Sequence, residues 1–144
     1  MYPATKGGIM DFYDSELSVL KITDTGGELR DLSAYVVNIT PHFGNKMHDK
    51  TTLGQTHEQT FKGIGQTSID VELLYSEDAL VGTDTVLGPL LDDVTARTWE
   101  YWPRGASGKK YTGTSLIENY QPKTAVGSLV GATFTLRANS RSRV

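Results

Sequence analysis

SIDVEL, residues 68–73, alternates polar and apolar residues without interruption. Successive side chains of an extended chain point to opposite faces. Ile69, Val71 and Leu73 therefore share one side, and Ser68, Asp70 and Glu72 share the other. A period of two over this length predicts a strand with one face in a core and one in water.

Working outward, the same signal recurs. Towards the N-terminus, Leu17–Thr23 (LSVLKIT) reads as a strand, and Asp24-Thr25-Gly26-Gly27 supplies a hairpin turn. After the short link RDLS, Ala34–Thr40 (AYVVNIT) reads as the partner strand, ending at Pro41. Residues 46–65, KMHDKTTLGQTHEQTFKGIG, are polar almost throughout and read as a long inter-strand loop bracketed by Gly44 and Gly65. Towards the C-terminus, Val86, Leu87, Leu90, Leu91 and Val94 have helical spacing within Asp84–Val94. Gly88-Pro89 inside that run predicts a short or bent helix, with Asp84 as N-cap. Arg97–Trp102, Lys110–Tyr120 and Ser128–Ala138 follow as strands, with a bend at Pro122.

The expected fold is mainly β: an antiparallel β-sandwich or flattened barrel of six or seven strands, one flanking α-helix and a long inter-strand loop. The expected organisation is an N-terminal arm (1–16), one β domain (17–138, with the loop at 44–65) and a short basic tail (139–144).

Bulk properties narrow the function. The chain has 144 residues and a net charge of −3, so no global basic field attracts nucleic acid. It has no cysteine, which removes disulfides, thiolate metal sites and cysteine nucleophiles together. MYPATKGGIMDFYD has neither the basic region nor the apolar run of a signal peptide, and no stretch approaches a membrane span. A soluble protein made in the cytosol is expected.

Sites for chemistry are absent. His42, His48 and His57 match no zinc spacing, and no metal is expected. GASGKKY at 105–111 has too few residues between its glycines for a phosphate loop, and it joins two strands. KGIGQ is too short for a dinucleotide fingerprint, and no serine sits in a nucleophile elbow. Asp70 and Glu72 are spaced as any exposed strand face would space them. Neither an enzyme nor a cofactor is indicated. Trp99, Tyr101, Trp102, Tyr111 and Tyr120 are a candidate base-stacking set, but alternation puts Trp99 and Tyr101 together on a core face.

Longer patterns are more informative. LKITDTGGELRDLSAYVVNIT, TTLGQTHEQTFKGIGQTSIDVELLY, VLGPLL and TWEYWPRGASGKKYTGTSLIENYQPKTAVGSLVGATFTLRA follow one another over about residues 17–138. In order and spacing this succession resembles the major tail tube protein of long-tailed (siphovirus-type) bacteriophages. The telling pieces are GG-x-L-R-D-L-S, T-T-x-G followed by F-K-G, and K-Y-x-G. The resemblance implies a structural virion protein, assembled in the host cytoplasm, whose six-membered rings stack into a hollow tube. It implies a continuous inner β-barrel through which DNA passes without specific binding. Implied partners are other copies of the chain, and tape measure, tail terminator and distal tail proteins.

In such a stack the polar loop gains a role as an arm reaching the next ring. Lys46, Lys50, His57, Glu58 and Lys62 are its expected rim contacts, and Leu53 and Phe61 its apolar anchors. Tyr2, Phe12 and Tyr13 are expected docking contacts of the N-terminal arm. Asp70 and Glu72, with Glu118 on a later strand, are the expected acidic lumen residues. Competing readings are a tail terminator or connector ring, another tube-forming protein, and a small β-barrel that binds nucleic acid or a ligand. A binder requires its lysines and arginines gathered along one groove.

Overall fold

The computed structural model describes residues 18–144. Eight strands and one helix succeed one another: β1 (Val19–Thr23), β2 (Leu29–Asp31), β3 (Val36–Asp49), β4 (Thr60–Leu74), α1 (Thr83–Leu91), β5 (Arg97–Trp102), β6 (Tyr111–Lys123), β7 (Gly131–Ala138) and β8 (Ser142–Arg143). All pairings are antiparallel, in the order β2-β1-β5-β6-β7-β4-β3, with β8 beside the start of β6.

The path folds into two layers because β6 changes partners along its length. Its first residues pair with β5, from Tyr111 opposite Tyr101 to Ser115 opposite Arg97. From Ser115 to Lys123 it pairs with β7 on its other side. One layer is thus β2-β1-β5 with the start of β6, and the other is the rest of β6 with β7, β4 and β3. Between them lies one apolar core. Leu20, Ile22 and Trp99 enter it from the first layer, Ile69, Val71, Leu73, Phe134 and Leu136 from the second, and Val86, Leu87 and Leu90 from the helix. The alternation of SIDVEL is realised, with Ile69, Val71 and Leu73 buried and Asp70 and Glu72 exposed.

Several expectations are corrected. The strand across the Asp24–Gly27 turn from β1 is β2, not Ala34–Thr40; the latter lies mostly in β3, which pairs with β4. The turn itself forms as expected, with Gly27 at φ +87° and Asp24 N–H donating to Glu28 O at 2.8 Å. Neither proline ends its strand: β3 runs through Pro41, and β6 through Pro122. Both strands have an edge without a ladder partner among the described residues, so a missing N–H is tolerated there.

The helix is short, as its Gly-Pro pair suggests, but its N-cap is Gly82. Asp84 is instead in the first turn, where it accepts a hydrogen bond from Tyr120 Oη at 3.0 Å. Val94 lies beyond the helix and is exposed, and β7 starts at Gly131, leaving Ser128–Val130 in the preceding loop.

The largest correction concerns residues 44–65. They are not one loop. β3 continues to Asp49 and β4 begins at Thr60, so only residues 50–59 connect them. Polarity on both faces resembles a loop in sequence, but a two-stranded ribbon leaving the core has water on both faces and no alternation to show.

Candidate assembly surfaces

Three surfaces of the second layer stand out: its outer face, its two edges and its ribbon. The face follows from register. Asn38, Glu72 and Thr133 lie side by side across β3, β4 and β7, and Thr40, Asp70 and Thr135 form the next row. The residues are small and polar, with four charged groups among them. Thr135 Oγ1 donates to Asp70 Oδ1 at 2.8 Å, and His42 Nε2 lies 3.0 Å from Asp70 Oδ2. Arg137 Nη2 donates to Glu118 Oε1 at 2.9 Å. Glu118 sits at the irregularity between Ile117 and Asn119, which turns its side chain onto this face. Asp70, Glu72 and Glu118 thus share a surface whose one guanidinium is paired with a carboxylate.

The edges lie at opposite sides of this layer. β3 ends the strand order, so its outer side has no ladder partner among the described residues. β5 leaves β6 at Ser115, and among the described residues Leu116–Lys123 then pairs only with β7. Long edges of this kind normally invite pairing with another chain.

The ribbon is an extension of the same layer. β7 stops at Ala138, opposite Thr67, whereas β4 and β3 remain paired out to Thr60 and Asp49. At ~3.3 Å per residue the ribbon projects by roughly 20 Å. Its tip is held by its own hydrogen bonds: Lys50 N–H donates to Gln59 O at 2.9 Å and Gln59 N–H to Thr51 Oγ1 at 2.7 Å. Thr52-Leu53-Gly54-Gln55 is a type II turn, closed by Gln55 N–H to Thr52 O with Gly54 at φ +91°. That geometry places Leu53 at the apex, fully exposed.

No protein-family model matches the chain, and neither does any curated protein sequence. Solved structures do. A chain from the tail of an empty gene transfer agent particle, refined with C6 symmetry, superposes with a TM-score of 0.78 at 14% identity, covering 92% of this chain and 99% of that one. A chain of the SPP1 tail tube gives 0.71 at 10% identity, over 91% and 78%. The sheath–tube complex of the contractile injection system PVC gives 0.63 at 9% identity, over 92% and 90%.

The chain has the tail-tube fold.

The tail-tube fold brings the expected residues together in two groups. Asp70, Glu72 and Glu118 occupy one face, as above. Lys46, Lys50, Leu53, His57, Glu58, Phe61 and Lys62 all lie on the ribbon or its tip. Lys46 sits at the register shift between Asn45 and Met47. Phe61 is half-exposed and stacks on His48, ring centroids 5.0 Å apart. Tyr2, Phe12 and Tyr13 lie outside the described residues.

The sequence motifs acquire physical reasons. In F-K-G, Gly63 leaves room for His48, whose Nε2 would lie 2.5 Å from a Cβ at that position. In K-Y-x-G, Gly113 lets the backbone of Ser140 approach so closely that a Cβ would meet its carbonyl oxygen. In GG-x-L-R-D-L-S, Leu32 is fully buried and Ser33 Oγ accepts from Leu20 N–H at 2.9 Å. Sequence reasoning missed the edge at Leu116–Lys123, because ladder partners are a tertiary property. The start of β5 only at Arg97, soon after the helical run, is its one visible signal.

Among the described residues no three His, Asp or Glu side chains gather as a metal site, and no helix is long and apolar enough to cross a membrane. Lys21 and Lys110 lie over Trp102 at 5.1 and 5.4 Å, and Arg141 lies over Phe43 at 5.3 Å. Two of these cations thus cap one ring and the third caps another.

Proposed function

We propose that this chain is the structural, non-enzymatic subunit of a bacteriophage-type tail tube. The observation that carries the reading is the pair of open edges on one four-stranded layer. The outer side of β3 in one copy pairs with Leu116–Lys123 of the next, so the contact is heterologous and a rotation closes it into a ring. Closure turns an aggregation hazard into the assembly bond, because a complete barrel has no edges left.

Six subunits are the ring size the C6 tail structure suggests, which gives an inner barrel of 24 strands. Barrels of about 16–18 strands already enclose an aqueous channel, so this bore is wider than a water-filled pore. The polar face with Asp70, Glu72 and Glu118 lines it. Its acidic excess and small hydroxyl side chains give phosphates no cationic ladder to hold, which suits DNA that slides without binding. Rings stack into a tube, and the assembly belongs to the virion, with tape measure, terminator and distal tail proteins setting its length and ends.

Negative-stain microscopy of the purified chain tests the reading. Hollow tubes of uniform width are expected. A monomer that forms neither rings nor tubes at high concentration overturns it.

A further inference from the structure

β7 leaves β4 at Ala138, which is opposite Thr67 on β4 and Ser115 on β6. From there the chain stays with β6. Asn139 N–H donates to Thr114 O at 2.7 Å, and Ser140 Oγ accepts from Thr114 N–H at 3.0 Å. In β8, Ser142 pairs with Thr112 and Arg143 with Tyr111, and Val144 and Lys110 exchange backbone bonds of 2.9 and 3.0 Å. Residues 139–144 are thus a strap along the part of β6 that belongs to the first layer. β3 and β4 meanwhile continue as the ribbon. Between ribbon and strap opens a cleft of about 480 Å³, with Ile64 and Gly65 on the ribbon side and Asn139, Ser140 and Arg141 on the strap side.

Arg141 is the strap side chain that reaches the ribbon's root. Its Nη1 donates to Thr67 Oγ1 at 3.1 Å, and its guanidinium lies 5.3 Å from the centre of the Phe43 ring. Phe43 and Thr67 are register partners, and theirs is the last row with β7 alongside. Immediately beyond it the ribbon is built to bend. Gly44 and Gly65 stand in the next two rows, and the register shifts between Asn45 and Met47. Glycine inside a strand weakens it, and an irregular register bends it. A two-stranded hairpin with water on both faces is marginal by itself, so its direction has to be set at its root.

We infer that Arg141 is a strut that fixes the angle between the ribbon and the first layer, with the Gly44 and Gly65 rows as the pivot. A planar guanidinium suits the task, because it donates in its plane while its face covers an aromatic ring. Thr67 is only 6% exposed, so the acceptor is held still. The strap gives the strut a fixed base, and the cleft gives the ribbon room to swing once the strut is gone. The inference concerns the subunit by itself and stands apart from the tube reading. Within that reading, an arm aimed in advance spares the ordering cost of a swinging one.

The chain has no cysteine, so two spin labels can be placed at will. Lys62→Cys lies on the ribbon, roughly 16 Å out from Thr67 at ~3.3 Å per residue, and Thr98→Cys lies on β5; both positions are exposed. Pulsed electron paramagnetic resonance of this pair in dilute protein is expected to give one narrow distance distribution. Arg141→Ala is expected to broaden it by about twofold or more and to move its centre. Thr67→Val, which keeps the ring contact and removes the acceptor, is expected to broaden it less. Arg143→Ala removes the neighbouring strap charge and is expected to leave it unchanged. A distribution that stays narrow without Arg141, or is already broad with it, overturns the strut, and so does equal broadening by Arg143→Ala. Tubes of the Arg141→Ala chain are expected to lengthen about tenfold more slowly. Growth at the wild-type rate from a chain with a broadened distribution overturns the strut's part in assembly. A wild-type chain that never assembles overturns the tube reading, and the distance distributions still decide the strut.

Discussion

The ring of Phe43 packs 4.7 Å from that of Tyr111, tilted by 40°. The two residues belong to β3 and β6, which are separated by β4 and β7 in the strand order. Tyr111 lies in the part of β6 that belongs to the first layer and Phe43 in the second, so the contact joins the two layers at the base of the ribbon. Arg141 lies over the other partner of this pair, Phe43, and donates to Thr67 Oγ1 at 3.1 Å. Phe43→Ala removes both contacts while leaving the core residues in place. The expected cost is about 2 kcal/mol, below that of a fully buried phenylalanine, because Phe43 keeps 36% exposure. Denaturant unfolding measures it. Hydrogen exchange is expected to show the largest loss of protection in residues 44–49 and 60–66.

Gly113 faces backbone instead of a movable side chain. A Cβ there would meet Ser140 O, and the chain leading to it is held by Asn139 N–H donating to Thr114 O at 2.7 Å. Gly113→Ala is expected to destabilise by about 1–3 kcal/mol and to release β8 from β6. Gly63→Ala differs, because the atom in the way is the far end of His48. It is expected to move the imidazole off Phe61 at little cost to global stability. Paired melting curves check the contrast, and equal losses at the two positions would refute it.

Tyr75 and Tyr120 resist ionisation for different reasons. The hydrogen bond to Glu77, with the nearby carboxylates, pushes Tyr75 up to about 12. Burial, then the hydrogen bond to Asp84, pushes Tyr120 further in the same direction. A raised phenol means that the folded state favours the neutral form. Their contribution is complete below the ordinary value of 10 and disappears as pH rises through the folded-state values. Burial raises Tyr101 as well, so alkaline titration of tyrosinate absorbance is expected to show three of the described phenols ionising late, together with unfolding. Glu77→Gln is expected to bring Tyr75 down and leave Tyr120 late.

The lumen assignment predicts a separation of functions. Asp70→Lys/Glu72→Lys changes an exposed face away from both open edges, so tubes are expected to form at normal yield. Particles carrying such tubes are expected to eject DNA more slowly, and most clearly at low salt, where phosphate–lysine attraction is least screened. Unchanged ejection kinetics at low salt would place the face outside the bore.

Strands with one wet face were legible from alternation. SIDVEL, RTWEYW and GATFTLRA each show it; RTWEYW forms a strand at the expected limits, the third strand starts three residues late at Gly131, and SIDVEL is the inner part of a strand that starts at Thr60. β3 beyond Pro41 and the start of β4 were not legible, since nothing in a ribbon with two wet faces repeats every second residue. Partnering was illegible for another reason. The turn after β1 correctly signals a hairpin, but the strand it serves, β2, is three residues long and too short to show a pattern. At 14% and 10% identity to the gene transfer agent and SPP1 tail chains, the fold is shared with few residues in common. The need for glycine at 113 was not legible either, because it comes from the close approach of the Ser140 backbone, a tertiary contact.

The sharing of β6 between the two layers has a mechanical consequence. In the ring proposed above, outward pressure would become hoop tension carried along the inner barrel's hydrogen bonds. At Ser115 the same polypeptide would pass that load into the β2-β1-β5 layer by covalent bonds. The wall of such a ring would then bend as one girder.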